Sequence, residues 1–239
     1  MPAPYREHRP PGGLEPAVAC LWEQEPVEDR VQRVVPDGCV DLIWLAGREL
    51  VIAGADTSPW TVALPAGARS SAVRLRPGAA GAFLGVPASE LRDQRIAAAS
   101  LWGKEALALE DALAEAGPAD RLRLLAATVA RRHVRADELV VAAARALSRP
   151  GARVGEVASE IGVSERQLRR RALAAVGYGP KMLARVARLR RLIALPGEPL
   201  AARAFAAGYA SQAHMGDEVR RLTGLTPVRF LEDAALTSA

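Results

Sequence analysis

Between residues 14 and 86 the apolar positions come in short runs: Ala17–Trp22, Cys39–Leu45, Leu50–Ala53, Trp60–Leu64 and Ala72–Leu75. Turn formers separate them, at Pro36-Asp37-Gly38, Ala46-Gly47, Gly54–Pro59, Pro65–Gly67 and Pro77-Gly78. Short apolar runs with this punctuation predict strands, and their spacing predicts a small sandwich or barrel. Past Pro87 the period changes. Ser89–Asp93 opens helically with Ser89 placed to cap, and Lys104–Ala116, Ala119–Val134 and Asp137–Ser148 repeat apolar residues at three- and four-residue steps. Gly117-Pro118 and Arg149-Pro150-Gly151 stop helices. From Val154 onward the pattern is helical, with breaks at Gly162, Gly177–Pro180, Pro196–Pro199, Gly208 and Gly224–Pro227, and a frayed tail at Ala235–Ala239. The fold class that follows is α+β. A β-rich barrel- or sandwich-like sensor domain occupies 1–88, a helical connector and candidate dimerisation element 89–148, and an all-α domain 149–239.

Inside the last segment one pattern occurs twice. Ala158, Gly162, Leu168, Gly177 and Pro180 are answered by Ala204, Gly208, Met215, Gly224 and Pro227. In both copies Ala precedes Gly by four residues and the last Gly precedes Pro by three. A repeat of this length is a supersecondary unit. In the first copy Val154–Ile161 forms a helix, Ala158 lets a second helix cross closely, and Gly162 supplies a left-handed turn. Ser164 caps the helix Glu165–Ala175, whose core contact is Leu168. Glu165, Arg166, Gln167, Arg169 and Arg170 are left exposed. A supporting helix, a Gly turn and a polar second helix are the parts of a helix-turn-helix, with Arg suited to guanine and Gln to adenine. An αα-hairpin with a solvated Arg face is the competing reading, and the second copy weighs against it. In that copy Ala201–Ala207 is the supporting helix, and Ser211, Gln212, Ala213 and His214 open the second recognition helix, His214 reading equally as a capping or packing residue. Lys181–Leu195 joins the copies as a spacer of about 22 Å at 1.5 Å per residue. Of its Arg185, Arg188, Arg190 and Arg191, some are expected on phosphate and others on local carboxylates.

Charge agrees with this division. The chain of 239 residues is net +5, but from Arg149 onward 15 Arg and Lys stand against eight Asp and Glu, so the remainder is slightly acidic. A basic end on a near-neutral body is the profile of a polyanion-binding module attached to something else. Met1–Gly13 is Pro-rich and charged, which a signal peptide is not, and no apolar run is long enough to span a membrane. With two cysteines, Cys20 and Cys39, a disulfide framework is ruled out. A reduced, cytoplasmic protein is expected.

At this point the residues resemble a known family. Gly162-Val163-Ser164-Glu165-Arg166-Gln167-Leu168-Arg169-Arg170, followed by Gly177-Tyr178-Gly179-Pro180, resembles the first helix-turn-helix of AraC/XylS-type transcription regulators. Ala207–Met215, followed by Leu222-Thr223-Gly224-Leu225-Thr226-Pro227, resembles the second, and the likeness covers about Arg153–Glu232. The resemblance implies that Arg166, Arg169 and Arg170 read bases and that Ser211, Gln212, Ala213 and His214 line the groove. One departure stands out: Gly216-Asp217 replaces the family's Ser-Arg or Ala-Arg pair, which weakens the helix and sets a negative charge near phosphate. Pro36–Trp44 and Val73–Gly78 more faintly resemble the β-rich sensor domain of an actinobacterial subgroup of these regulators. Double-stranded DNA, a small-molecule effector, a second copy of the chain and, for an activator, RNA polymerase are the partners this implies. No cofactor, metal site or catalytic role is expected.

In the sheet-forming half, Trp22, Trp44 and Trp60 either fill a core or surround a planar or apolar effector. Alternation puts Arg74 and Arg76 on one face, both solvated or both aimed into a cavity, where they could pair with a carboxylate. Cys39 is counted with them as a candidate effector contact. Cys20 and Cys39 also support two other readings, a redox-sensing DNA binder and a DNA-repair alkyl acceptor using Cys39. The Gly-Cys-Val-Asp setting of Cys39 lacks the Pro-Cys-His-Arg pattern of the latter, and its four-cysteine zinc site is missing.

Overall fold

The computed structural model describes residues 5–195 and 197–237. Eight strands form first: β1 Tyr5–His8, β2 Val18–Gln24, β3 Arg30–Val34, β4 Val40–Leu45, β5 Glu49–Ala53, β6 Trp60–Leu64, β7 Ser70–Leu75 and β8 Arg95–Ala97. Six of them make one antiparallel sheet in the order β1-β2-β7-β4-β5-β8, and β3 pairs with β6 as a separate ribbon. The five expected strands are present. The three that patterning missed have no apolar run: β1 is mostly exposed, β3 is a half-exposed Arg-Val-Gln-Arg-Val stretch, and β8 has three residues.

Side-chain alternation gives the large sheet two unlike faces. Val40, Leu42 and Trp44 of β4, Leu50 and Ile52 of β5, and Val73 and Leu75 of β7 belong to the main core beneath the helices. Asp41, Ile43 and Leu45, of opposite parity, look toward the β3–β6 ribbon.

The helical part begins with α1 Ala80–Leu84, then a single 3-10 turn at Ala88–Glu90. The helix expected at Ser89–Asp93 is not there. Asp93 takes a left-handed backbone (φ 59°), and Gln94 accepts a hydrogen bond from the Gly54 amide at 2.9 Å, leading the chain into β8. Next come α2 Ala98–Trp102, α3 Lys104–Glu115 and α4 Pro118–Arg131, which lies across β7 and β2. Then α5 Glu138–Leu147, capped by Asp137, packs on α6 Val154–Glu160, α7 Glu165–Val176 and α8 Pro180–Ile193. The chain continues through α9 Leu200–Ala206, α10 Gln212–Thr223 and α11 Pro227–Thr237. Thus 235–237 are helical, whereas Ser238 and Ala239 of the expected tail, like Pro196 of the expected break, lie outside the described residues.

The two repeat copies are housed differently. Val157, Ala158, Leu168, Ala175 and Val176 of the first are continuous with the sheet's core. Met215, Val219 and Leu222 of the second join Leu189, Leu192 and Tyr209 in a smaller core of their own. Where α7 docks on α1 the fit is close: a Cβ on Gly81 would stand 2.3 Å from the Ala174 carbonyl oxygen. Among the described residues no helix is long and apolar enough to cross a membrane.

Candidate functional sites

The first repeat copy folds as a helix-turn-helix. Gly162 makes the turn at φ 73°, which a side chain would resist, and Gly208 repeats it in the second copy at φ 91°. Ser164 then closes a capping box: its hydroxyl accepts from the Gln167 amide at 3.2 Å, and the Gln167 carbonyl accepts from the Ser164 amide at 2.9 Å. Ser164 thus caps the start of the helix as expected, and Gln167, expected like Ser164 to meet DNA, is engaged in the same box. The Glu165 carboxylate lies over Gly155 of α6. Arg166, Arg169 and Arg170 are exposed, without an ion pair or hydrogen bond among the described residues. Arg171 differs, since the N-cap Asp137 of α5 holds it bidentately at 2.9 Å. The C-terminal half of α7 is docked on α1 and the 3-10 turn, so only its N-terminal half is open.

In the second copy Ser211 caps α10, accepting from the His214 amide at 3.1 Å, and Gln212 and Ala213 are exposed. His214 takes the packing role: its Nδ1 accepts from the Ala210 amide at 3.1 Å, and its ring meets Tyr209 edge-on at 5.6 Å. Glu218 draws Arg185 (3.1 Å) and Arg188 (2.9 Å) onto α10. Arg191 donates to the carbonyls of Ala206 and Ser148, which leaves Arg190 as the exposed arginine of α8. The spacer is thus chiefly a brace. Gly216 sits in mid-helix, and an added Cβ would meet only Arg220 Nη1, at 3.8 Å. Gly216→Ala is accordingly expected to raise stability by about 0.5–1 kcal/mol in urea unfolding. An unchanged midpoint would mean that this turn of helix needs glycine for a reason other than space.

Between the large sheet and the ribbon lies a cavity of about 510 Å³. Of the residues singled out in sequence, Trp22, Cys39, Trp60 and Arg74 line it. Trp44 does not. It points through the other face, 2% exposed in the main core. Arg76 does not either, because β7 ends at Leu75 and the Arg76 guanidinium turns out to the Glu15 carbonyl at 2.7 Å. The expected pair of arginines on one face is therefore separated.

The polar partners of these residues, Asp41, Asp56 and Arg95, are ones that pattern reading passed over. Asp41 grips Arg74 through two bonds of 3.0 Å and accepts from Trp22 Nε1 at 3.3 Å. Burial works against charge on Arg74, but Asp41 more than offsets it and holds the guanidinium above its ordinary range. Asp56 repeats the arrangement, holding Arg95 at 2.6 Å and accepting from Trp60 Nε1 at 3.1 Å, while the Arg95 guanidinium stacks 3.6 Å over the Trp60 ring. Gln24 donates across to Gln32 of the ribbon at 2.8 Å.

Both cysteines are free, and burial pushes both thiols up, Cys20 to about 12 and Cys39 well above its ordinary value. A thiol held protonated is a poor nucleophile and reacts slowly with oxidants, so the redox and alkyl-acceptor readings gain no support.

Two family models match the chain. Residues 6–97 match a domain of unknown function, DUF6597, and residues 157–233 match the family described as a helix-turn-helix domain. No curated protein matches. Among solved structures, an apo variant of ToxT from Vibrio cholerae strain SCE256 shares 11% identity at a TM-score of 0.46, over 95% of this chain and 99% of that one. ToxT from Vibrio cholerae O395 shares 7% at 0.44, over 96% and 97%. The unsaturated fatty acid-bound wild-type ToxT of strain SCE256 shares 9% at 0.41, over 88% and 93%. The chain therefore carries a helix-turn-helix domain over residues 157–233, joined to an N-terminal β-rich domain.

Proposed function

We propose that this protein is a sequence-specific DNA-binding transcription regulator whose N-terminal cavity receives a small-molecule effector. The observation that carries the DNA-binding reading is the open N-terminal half of α7, where Arg166, Arg169 and Arg170 project without carboxylate partners. Buried or surface-structural arginines in this chain are engaged, as Arg171, Arg185 and Arg188 are. Three adjacent unpaired guanidiniums on one recognition helix suit guanine edges and phosphate. The second unit supports the docking with Gln212 and Ala213, while His214 and Ser211 maintain its shape. The exposed Asp217 reduces its pull on phosphate. In this reading the DNA-binding unit begins ahead of α5, and the packing of α5 on α6, α7 and α8 supports that start.

The test is a mobility-shift titration on the promoter of a neighbouring gene. Arg169→Ala and Arg170→Ala should each weaken specific binding by about 1–3 kcal/mol where that arginine makes a bidentate base contact. Equal affinity of both variants and the parent would overturn the assignment of α7.

A further inference from the structure

We infer that the cavity takes a planar organic cation and disfavours carboxylates. The inference rests on the reading of the cavity as an effector site and names the chemistry that site would select. A cluster of arginines in a pocket ordinarily suggests an anionic ligand, and here the geometry reverses that expectation. Arg74 is surrounded by three carboxylates: Asp41 at 3.0 Å, Asp37 at 3.8 Å and Glu7 at 3.9 Å. Its single charge is outnumbered, so the field at that end of the cavity is negative. Arg95 donates to both Asp56 oxygens through Nη2 alone and lies face-on over Trp60, and its buried Nε has no partner among the described residues. Arg33, the remaining lining guanidinium, reaches away from the cavity to donate to the Thr223 carbonyl at 3.2 Å. Each lining guanidinium thus already has an acceptor, and among the described lining the one buried guanidinium N–H without a partner is the Arg95 Nε.

The carboxylates are less fully occupied. The lining holds four, Asp37, Asp41, Glu49 and Asp56, against the three guanidiniums. Asp37 accepts one amide bond, from Cys39 at 2.8 Å, and otherwise has only the distant Arg74; Glu49 has no partner among the described residues. In the same lining Tyr5 and Trp22 stand as a tilted aromatic pair, ring centres 5.8 Å apart, with Ile43 and Val51 continuing the apolar wall. Aromatic faces beside unneutralised carboxylates attract a desolvated cation, and they repel an anion of the same shape. A volume of about 510 Å³ accommodates a molecule of two to four fused rings.

The experiment titrates the full-length protein without DNA, following tryptophan quenching and ligand fluorescence. The probes are berberine, a planar cation, and 1-naphthoate and oleate as anions. Berberine should saturate at micromolar concentration and the anions should not. Asp37→Asn keeps an acceptor for the Cys39 amide and should weaken berberine at least threefold, with near-ultraviolet dichroism unchanged. Trp22→Phe should lower the affinity further while keeping an aromatic filler. Saturation by an anion with berberine silent, or berberine binding indifferent to both substitutions, would overturn the charge selection and leave an effector cavity standing. If neither sign of probe changes the tryptophan signal, the effector reading falls, and this inference with it.

Discussion

Asp41→Ala should cost about 3–5 kcal/mol of folding stability, because it strands the Arg74 guanidinium in a cavity wall. Asp41 supplies both of Arg74's short charge-assisted bonds and also accepts from Trp22, so one substitution leaves three N–H donors on two side chains without their acceptor. Asp37 and Glu7 stand too far from Arg74, at 3.8 and 3.9 Å, to replace them without rearrangement. Urea unfolding at neutral pH is the measurement. The double variant Asp41→Ala/Arg74→Ala should recover part of the loss, since no unpaired charge then remains. A single variant within 1 kcal/mol of the parent would show that Arg74 has water access enough to need no partner.

Gly81→Ala is the second change with a large expected effect. Its new methyl would meet the backbone of α7 at Ala174, an oxygen that no rotamer change can move aside. Either α1 or the recognition helix must shift, and forced insertions into tight packing cost about 1–3 kcal/mol. Because the contact joins the β-rich domain to the first helix-turn-helix, the expected result goes beyond a lower urea midpoint. Limited proteolysis should cut the variant faster between α4 and α7 than the parent. Parent-like cleavage with an unchanged midpoint would mean that the α1–α7 contact bears no load.

Much of the architecture could be read from patterning, and the errors have physical causes. The doubled Ala–Gly–Leu/Met–Gly–Pro spacing located both helix-turn-helix units because each residue type answers a backbone or core requirement. Ser164 and Gln167 stood in the Ser-x-x-Gln spacing of a capping box, yet their polarity invited assignment to DNA; the helix end has the prior demand on them. Period-two alternation carried along β4 from the Cys39 that precedes it separates Cys39 from Trp44, so the two could not both face one cavity, and the same parity would have pointed to Asp41. Arg74 and Arg76 parted because a strand's alternation ends where the strand does. Arg95 was hidden in a segment whose composition suits a helix, and three residues of strand are set by pairing with β5, not by their own pattern. Which arginines are free was beyond reach, since partners such as Glu218 for Arg188 lie 30 residues away.

The β3–β6 ribbon is its own sheet: among the described residues no ladder joins it to the six-stranded one. A solute can therefore reach the interior from that side by exchanging side-chain packing for water, with every strand still paired. Amide protons of β3 and β6 would stay slow to exchange with deuterium through such an event, even as Trp22 is wetted. The same ribbon bears Arg33, hydrogen-bonded to the last turn of α10. The cavity wall and the last turn of α10 are thus tied to one small two-stranded plate.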